Sequence, residues 1–548
     1  MIEYINSDIK SIIGFNYVLN KLEPLSPYGL ERKREMLPFF NEDDLKEELN
    51  KVNELKRNIN ENIDIFNQIK SLLSHIKDLR QSIKRAKDHQ ILSVVELYEV
   101  KNFISIIEDI DGLLYKLPFK VPEDMRIIPI NELKKLFDPQ DKGLKTFYIY
   151  DEYSQNLKKI RQRKRELGRE IKSKKKDKRN KLIREIDVRI NPKGETVVSK
   201  VDSDLIEILS NHKDFEYINE SYMNIRYKIK DGKEVENLLD KLNELKELEE
   251  EEELNIREKI TEEISDYSRD LMNNIKSIGL LDFRLSKAYL GYNMNSTKPR
   301  ILNNSKRVEI VEGIHPEVYD ELDRRRGKFV PISIELESGV TCITGANMGG
   351  KTVTLKLIAL LSVMAQYGLL VPARYMEVSI FDYVYTSIGD LQSVDSGLST
   401  FGGEIDKVKR ALGESSRNGL IIIDELARGT NPKEGYAISK AIVKYLVDKS
   451  TISVITTHYD NVANTEGVAH YQVVGLENLD YEKLREEMDR FERYGIELIG
   501  CYMDYRLRKV EKNTKVPRDA LNIARFMGLQ EDILTVAENI LIKGEVEG

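Results

Sequence analysis

Apolar residues recur at helical spacing through the first part of the chain, where strand-like alternation is rare. One such helix face is formed by Leu72, Leu73, Ile76, Leu79 and Ile83. A helix with one apolar face is stable when that face is buried, so a series of such helices predicts a packed helical region. We therefore predict an all-α region over residues 1–151.

Two long, highly charged segments follow, and both have the apolar spacing of coiled-coil helices. Lys158–Arg184 carries 15 basic and 3 acidic residues, and Glu234–Glu263 carries 13 acidic and 4 basic residues. The apolar positions are Leu157, Ile160, Leu167 and Ile171 in the first segment, then Val235, Leu238, Leu242 and Leu245 in the second. We predict a long antiparallel arm of two helices over residues 152–266.

Pairing of these helices about residue 210 would place Lys172–Arg184 opposite Val235–Glu247. The two stretches carry net charges of +7 and −2, so a residual charge of +5 would remain near the outer end. The rest of the basic run would be neutralised by the acidic helix. Contact between the arm and a nucleic-acid backbone therefore remains an open alternative.

The sequence between the two helices, residues 185–233, predicts a small mixed lobe. VRINPKGETVVSKV is typical of a hairpin that turns at Asn191–Gly194, because Asn, Pro and Gly favour turns. YMNIRYKIKDG is typical of a further strand.

The remaining chain changes from helical spacing to alternating strands and helices. In chain order we predict a returning helix over 267–296, a connection over 297–329 and an α/β domain over 330–475. Residues 476–548 are predicted to hold the C-terminal part of the same α/β region and a helical dimerisation segment. Apolar strands alternate with helices that begin at Lys351 and Pro432, which is typical of α/β domains. The predicted fold class is multidomain: an all-α region with a coiled-coil arm, then an α/β phosphate-loop domain.

GANMGGKT satisfies the phosphate-loop pattern G-x-x-x-x-G-K-[ST], and it lies between the strand-like VTCIT and a predicted helix. Glycines let backbone N–H groups surround phosphate oxygens, the lysine neutralises them, and the threonine hydroxyl can bind Mg²⁺. The cofactors predicted here are ATP and Mg²⁺. The predicted binding residues are Gly345, Ala346, Asn347, Met348, Gly349, Gly350, Lys351, Thr352 and Val353.

Acidic residues follow the buried strand Leu420–Ile423. We predict that Asp424 holds Mg²⁺ together with Thr352, and that Glu425 polarises the attacking water. A third apolar run ends near His458, which would sense the γ-phosphate or position water. A structural role for this histidine is the alternative.

Ser399 and Thr400 precede a further predicted helix, in the sequence LSTFGGE. A helix amino terminus exposes N–H groups that can bind an anion. By chemistry alone the segment is only a helix cap.

Composition narrows the class of protein. A net charge of −7 argues against nucleic-acid binding over the whole surface, and Cys342 and Cys501 form no metal or redox motif. The amino terminus lacks the pattern of a signal peptide. The longest apolar run, Leu355–Leu370, is interrupted by polar residues and predicts a buried helix rather than a membrane span. We expect a cytoplasmic protein.

Four motifs occur in an order that closely resembles the nucleotide-binding domain of MutS proteins, a branch of the ABC-type ATPases: TGANMGGKTVTLK, IGDLQSVDSGLSTFGGE, IIIDELARGTNPKEG and ITTHYD. GKTVTLK, IGDLQS and GTNPKEG are most similar to the MutS subfamily that lacks a mismatch-reading domain. Ala346 and Ala427 depart from the proline and glycine usual in the family, and residues 185–233 match no part of it.

The resemblance implies a homodimer in which each ATP lies between the phosphate loop of one subunit and Ser399 of the other. Ser399 would then be catalytic in trans, beside Glu425 and His458 of the first subunit. Asn347 would help to organise the metal and the γ-phosphate. ATP binding would close the dimer and hydrolysis would reopen it, which would move the helical lever and the clamp arm.

Two kinds of client are compatible with this resemblance. The first is DNA or another nucleic-acid structure, held by a dimeric clamp in a process related to mismatch repair or recombination. The alternative is a protein client, because YMDYRLRKVEKNTKVPRDALNIARFMG resembles ATPases that reactivate a cobalamin-dependent lysine aminomutase. The neutralised arm favours the protein, and the residual positive charge favours nucleic acid.

Overall fold

A computed structural model describes residues 4–139, 146–303, 305–345, 350–388, 400–427, 430–475, 503–510, 521, 524–525 and 529–547. The chain forms two compact units. The first comprises Met1–His75, Lys116–Met125 and Ser277–Gly548, and the second comprises Ile76–Tyr115 and Arg126–Lys276.

The amino-terminal part of the first unit is helical. Its helices are α1 (Ser7–Ile12), α2 (Phe15–Asn20), α3 (Pro27–Arg34), α4 (Glu42–Ile59) and α5 (Ile63–Ser74). The start of α4 is fixed by Asn41, whose side chain accepts hydrogen bonds from two backbone N–H groups of the first turn. Apolar residues of α4 at helical spacing are buried, as the sequence pattern predicts.

The second unit contains six α-helices, one 3-10 helix (Asp151–Tyr153) and one small sheet among its described residues. In chain order they are α6 (Arg80–Lys87), α7 (Val94–Leu114), α8 (Asn131–Phe137), α9 (Gln155–Ile186), β1 (Glu195–Ser199), α10 (Ser203–Asn211), β2 (Phe215–Glu220), β3 (Asn224–Ile229) and α11 (Lys233–Asp266). No strand occurs in the described part of residues 4–151, in agreement with the predicted all-α region.

The long helices α9 and α11 run antiparallel and are joined by ion pairs. Arg161 bonds Glu249 at 2.9 Å and Glu253 at 2.7 Å, whereas Lys174, further along α9, bonds Glu234 at 2.8 Å. Symmetry about residue 210 would instead place Lys174 opposite Lys246, so the predicted register is wrong by twelve positions there. Charge symmetry did not identify the register, because α9 continues past the start of α11.

The reason for this overshoot is that the end of α9 belongs to the core of the lobe. Leu182 of α9 is buried with residues from all parts of the lobe, namely Val188, Ile190, Val198, Leu209, Phe215 and Tyr227. A helix end held in this way cannot be paired symmetrically with α11.

The lobe is mixed, as predicted, but its predicted hairpin is wrong. A turn does occur at Asn191–Gly194, where the Gly194 N–H donates to Asn191 O at 2.9 Å. Residues 188–190 form no strand, however, and β1 pairs antiparallel with β3 in the order β1-β3-β2. Helix α10 was not predicted.

The carboxy-terminal half carries the remaining elements. They are α12 (Ser268–Asn293), β4 (Arg300–Ile301), β5 (Arg307–Gly313), α13 (Pro316–Arg324), β6 (Ile332–Glu337), β7 (Gly339–Thr344), α14 (Lys351–Gln366), β8 (Tyr375–Val378), β9 (Tyr383–Ser387), α15 (Thr400–Glu414), β10 (Gly419–Ile423), α16 (Pro432–Val447), β11 (Ile452–Thr456), α17 (Asp460–Ala463), β12 (Ala469–Gly475), β13 (Asp504–Lys509) and α18 (Glu531–Glu547).

Residues 297–329 are more than the connection that Pro and Gly suggested. They contain β4, β5 and α13, and the two strands join a four-stranded sheet in the order β4-β8-β5-β6. The alternation of polar and apolar residues in β5 is the signal that the sequence analysis passed over.

A six-stranded sheet has the order β13-β12-β7-β11-β10-β9. Strands β12, β7, β11, β10 and β9 are parallel, and β13 is antiparallel to β12. Every residue of β7, β10 and β11 is buried, as continuous apolar runs predict for a parallel sheet. The carboxyl ends of these three strands therefore meet at one edge, where loops can form a site.

Helix α14 begins at this edge and is buried over most of its surface, which confirms the buried helix predicted at Leu355–Leu370 as far as Gln366, where the helix ends. No helix in the described part of the chain is both long and apolar enough to cross a membrane.

Candidate nucleotide-binding site

Two glycines mark the ends of the phosphate loop. Gly345, directly after β7, has φ +131°, and Gly350, the amino-terminal cap of α14, has φ +75°. A Cβ atom at Gly345 would lie 3.0 Å from Val473 Cβ, and one at Gly350 would lie 3.0 Å from the Tyr505 ring. Both positions therefore require glycine. Ala346, Asn347, Met348 and Gly349 lie outside the described residues.

Lys351 is the first residue of α14 and is almost completely buried. Its Nζ donates to Gly345 O at 2.6 Å, across the mouth of the loop. Burial lowers the pKa of Lys351, and the nearby Glu425 and Asp424 carboxylates oppose that effect. A buried cation at a helix amino terminus is suited to an anionic ligand. Val353, the third residue of α14, is half-buried.

Asp424 and Thr352 are brought together although 72 positions separate them. The Thr352 hydroxyl donates to Asp424 Oδ2 at 2.6 Å, and the Thr456 hydroxyl donates to Asp424 Oδ1 at 2.6 Å. The Asp424 N–H donates to Ser387 O at 2.9 Å, which continues the pairing of β10 with β9. Asp424 is thus fixed from three sides.

Thr456 is a site residue that the sequence analysis missed. Besides its bond to Asp424, its hydroxyl oxygen accepts the Glu425 N–H at 2.7 Å. One side chain of β11 therefore orients both acidic residues. The available signal was a polar residue that closes the apolar run ISVIT, on the strand between β7 and β10.

Glu425 has φ +52°, which is unfavourable for a residue with a Cβ atom. Its carboxylate faces His458, with 2.7 Å between Glu425 Oε1 and His458 Nε2. Because an ionised carboxylate only accepts hydrogen bonds, the proton of this contact lies on His458 Nε2. His458 is 42% exposed, whereas Glu425 is only 15% exposed, so the pair lies at the border between protein and solvent.

Ser399 lies outside the described residues, and Thr400 is described only as the first residue of α15. Ala427, in place of the usual glycine, has φ +63°. That backbone conformation explains why glycine is favoured there.

The arrangement fits a magnesium nucleotide. A loop closed by two obligatory glycines ends at a buried lysine, which is suited to polyphosphate. A threonine hydroxyl and a carboxylate oxygen lie within hydrogen-bond distance of each other, and Mg²⁺ prefers such oxygen ligands. The Glu425–His458 pair at the opening can accept and orient a proton donor such as water.

Comparison with known proteins bears directly on this site. Residues 341–542 match the family described as MutS domain V, and this range contains every motif discussed above. The relatives include proteins named Endonuclease MutS2 from Halothermothrix orenii (30% identity over 74% of this chain and 51% of the relative) and Finegoldia magna (28% over 96% and 64%). Residues 341–542 form a MutS domain V.

This match makes residues 341–542 an ATPase domain of the MutS type. A third relative, the Endonuclease MutS2 of Aquifex aeolicus, is 27% identical over 94% of this chain and 63% of its own length. The chain spans less than two thirds of the length of these curated relatives. The nuclease activity in their name is therefore a property of those proteins.

Proposed function

We propose that this MutS-family chain hydrolyses ATP as a dimer and uses the cycle to close the α9–α11 arm on DNA. In this proposal the arm is a coiled-coil clamp, the helices of residues 1–151 and 267–296 form the lever, and 330–475 form the ATPase domain. The DNA client is supported by the relatives' family and by one surface of α9. No mismatch-reading module is part of the proposal.

The site residues receive the following roles. The backbone of residues 345–353 and the Lys351 ammonium bind the phosphates. Thr352 and Asp424 hold Mg²⁺, which would neutralise charge on the phosphate oxygens. Glu425 takes the proton of the attacking water, His458 orients Glu425 and senses the γ-phosphate, and Ser399 of the second subunit completes the site.

One face of α9 carries the proposal of DNA binding. Five exposed basic residues lie at spacings of 7, 4, 3 and 4, which places them on one side of the helix over about 27 Å: Lys158, Arg165, Arg169, Lys172 and Lys176. Among the described carboxylates, only Asp151 forms an ion pair with any of the five, with Arg165 at 3.8 Å.

No acidic residue interrupts this basic face. On a helical wheel, Glu166, Glu170 and Asp177 lie roughly 90° to 130° from its centre. The cations that neutralise α11, such as Lys164 and Lys174, point elsewhere. The predicted mutual neutralisation of the two helices is therefore incomplete, and the remaining charges form a stripe suited to phosphates.

The DNA proposal is tested with a charge-matched pair of triple variants. Arg169→Gln, Lys172→Gln and Lys176→Gln remove three cations from the basic face. Lys159→Gln, Arg163→Gln and Lys181→Gln remove three from the other side of α9. We expect the first variant to bind a 30-base-pair duplex on the order of 10-fold or more weaker, with a shallower salt dependence.

The control variant should bind within about 3-fold of wild type, because it keeps the basic face. Both variants have the same net charge, so overall charge cannot explain a difference between them. Equal weakening in the two variants would reduce the effect to overall charge. Unchanged binding by both, or no binding by the wild type to duplex, forked or branched DNA, would reject the DNA client.

The dimer has separate support in α18. Three apolar residues at spacings of 3 and 4 are exposed on this helix: Ile533 at 48%, Val536 at 58% and Ile540 at 64%. Such a helix face is suited to a second copy of itself. We expect Ile540→Lys to produce monomers in sedimentation experiments. In a separate test, mixing a Ser399→Ala chain with a Lys351→Ala chain should recover part of the ATP turnover that each variant lacks alone.

A protein client is a second candidate, and the lobe supplies the observation that favours it. At the end of the lobe away from α9, the backbone N–H of Lys200 bonds Met223 O and joins two loops. Val201, Tyr222 and Met223 are 89%, 96% and 66% exposed there. The relatives reported above give no support to an aminomutase as this client.

If a protein is the client, Tyr222→Ser with Met223→Ser should leave ATP turnover unchanged and abolish its stimulation by that protein. If DNA is the client, loss of DNA-stimulated turnover should follow the α9 variant instead.

A further inference from the structure

The carboxyl end of α14 is held by residues from distant parts of the first unit. The amino end of this helix carries Lys351 and Thr352, so α14 is a buried rod of about 24 Å with the nucleotide site at one end. The helix terminates in a turn in which Gly368, at φ +69°, donates to Ala365 O and Leu369 donates to Met364 O.

At this turn, the carbonyl groups of Gln366 and Tyr367 each have a partner from another segment of the chain. The Phe39 N–H donates to Gln366 O at 2.8 Å, and the Lys287 ammonium lies 3.4 Å from Tyr367 O. The Gln366 side chain accepts from the Tyr4 hydroxyl at 3.1 Å. Segments near residues 4 and 39, together with α12, thus cap the end of α14.

Lys287 is the central group of this contact. Its side chain is 1% exposed, and its Nζ donates to Glu48 Oε1 of α4 at 2.9 Å. Arg284, also on α12, donates from Nε to Glu48 Oε2 at 2.8 Å. Burial lowers the pKa of Lys287, and Glu48 counteracts that effect.

The charges explain why a lysine is tolerated here. Glu48, Arg284 and Lys287 are each less than 10% exposed and together carry one negative and two positive charges. Asp124 pairs with Arg284 Nη2 at 2.8 Å and compensates part of the excess, and the partial negative charge at the carboxyl end of α14 lies next to Lys287. The buried lysine is therefore stabilised only while α4, α12 and α14 keep their relative positions.

We propose that Lys287 is a positioning residue of the ATPase, which ties the carboxyl end of α14 to α4 and α12 and passes nucleotide-dependent movement of α14 to α12. The inference rests on the proposed ATP hydrolysis and adds the route by which it reaches the rest of the chain. Helix α12 follows α11 after one residue, Tyr267, so this short connection is the covalent link between α12 and the arm.

The test uses Lys287→Met, which retains most of the side-chain volume and leaves Glu48 bonded to Arg284. We expect the KM for ATP to stay within about 2-fold and kcat to fall by about 10-fold, because a displaced helix misplaces its catalytic groups without removing them. A variant that is merely less stable would lose active protein without this division between KM and kcat.

Transmission is measured by hydrogen–deuterium exchange with and without an ATP analogue. In wild type we expect slower exchange at residues 350–353 and a change in α12. In Lys287→Met the first response should remain and the second should be lost. Gly368→Ala provides a second variant, which keeps the charges of Lys287 and Glu48. The new Cβ would lie 3.0 Å from Glu48 Cγ and would push α4 away from the end of α14.

Lys51→Met is the matched control, since Lys51 bonds Asp124 beside the same cluster and its ion pairs are with Asp124 and Glu47 rather than with α14. It should transmit as wild type does. A Lys287→Met chain that still changes exchange in α12, or a Lys51→Met chain that fails equally, would overturn the inference. A wild-type chain with no response at residues 350–353 would instead contradict ATP binding itself.

Discussion

Charged groups are paired differently at the edge of the six-stranded sheet and along the α9–α11 helices. At the edge, each polar group has a specific partner: Thr456 bonds Asp424, and His458 bonds Glu425. On the long helices, one cation serves several anions, as Arg161 does with Asp151, Glu249 and Glu253. Charges that follow buried strands are fixed by the sheet, whereas charges on helix faces can pair in many registers.

The largest expected effect tests the specific edge. Glu425→Gln should lower ATP turnover by about 1000-fold, because the amide cannot take the proton of the attacking water, and should leave ATP binding intact. Turnover is measured by phosphate release, and binding by titration with a fluorescent ATP analogue. Glu434→Gln, the same change at an exposed position of α16, is the control. Turnover that survives in the Glu425→Gln chain would exclude Glu425 from this role.

A smaller effect is expected at the residue that the sequence analysis missed. Thr456→Val removes the hydroxyl that orients both Asp424 and Glu425, so turnover should fall by about 10- to 100-fold. Thr457→Val is a close control, because the Thr457 hydroxyl accepts only from the Tyr459 N–H among the described contacts. The interpretation fails if the two variants lose turnover equally.

Substitution of two cations of α9 should have unequal effects, because Arg161 forms ion pairs with α11 whereas Lys176 forms none among the described residues. Arg161→Met should lower the free energy of unfolding of the second unit by about 2 kcal/mol, since it removes three ion pairs at once, although Glu249 keeps Lys164 and Asp151 keeps Arg165. Lys176→Met, on the basic face, should cost less than about 0.5 kcal/mol. Amide exchange within α9 measures both. Similar values would show that the stability of the arm depends on its overall charge pattern rather than on individual ion pairs.

The two units should lose stability over different ranges of acidic pH. Burial lowers the pKa of His315 to about 4, below its ordinary value near 6.5, and its Nε2–H donates to Ile13 O. The unfolded chain binds this proton first, so the first unit should lose stability as pH falls from 6.5 towards 4, by about 1.4 kcal/mol per unit of pH. His315→Gln should flatten this dependence in urea unfolding.

The ion pairs of the arm respond later. Although burial opposes the effect, Lys164 and Arg161 lower the pKa of Glu249, so its contribution is lost only below the ordinary range of a glutamate. An arm that unfolds before the first unit on mild acidification would contradict this order.

The same contrast explains what could be predicted from the sequence. The strands before Gly345 and Asp424 are largely apolar runs with a polar end, so their position was predicted correctly, while the chemistry assigned to the residues after them stays a prediction. Thr456 was passed over because its role depends on which strand lies between the other two. Strand order is a tertiary property that no single segment encodes.

The lobe and the arm were predicted less well for a related physical reason. The turn at Asn191–Gly194 is a local property and was identified, but the partner of β1 is β3, about 30 residues away. The register of α9 depends on Leu182 packing within the lobe rather than on the charges that dominate its sequence. The placement of polar residues was therefore predictable beside a buried strand, and not where long-range packing selected among similar alternatives.

The packing of Leu182 also has a practical consequence for protein engineering. Removal of residues 187–232 at the visible helix ends would leave the apolar last turn of α9 exposed to water and prone to aggregation. A soluble lobe-free chain requires cuts near Lys175 and Asp231, which form an ion pair just before the start of α11. The lobe therefore cannot be replaced alone: a homologous lobe must be transferred together with the last turns of the helix that corresponds to α9.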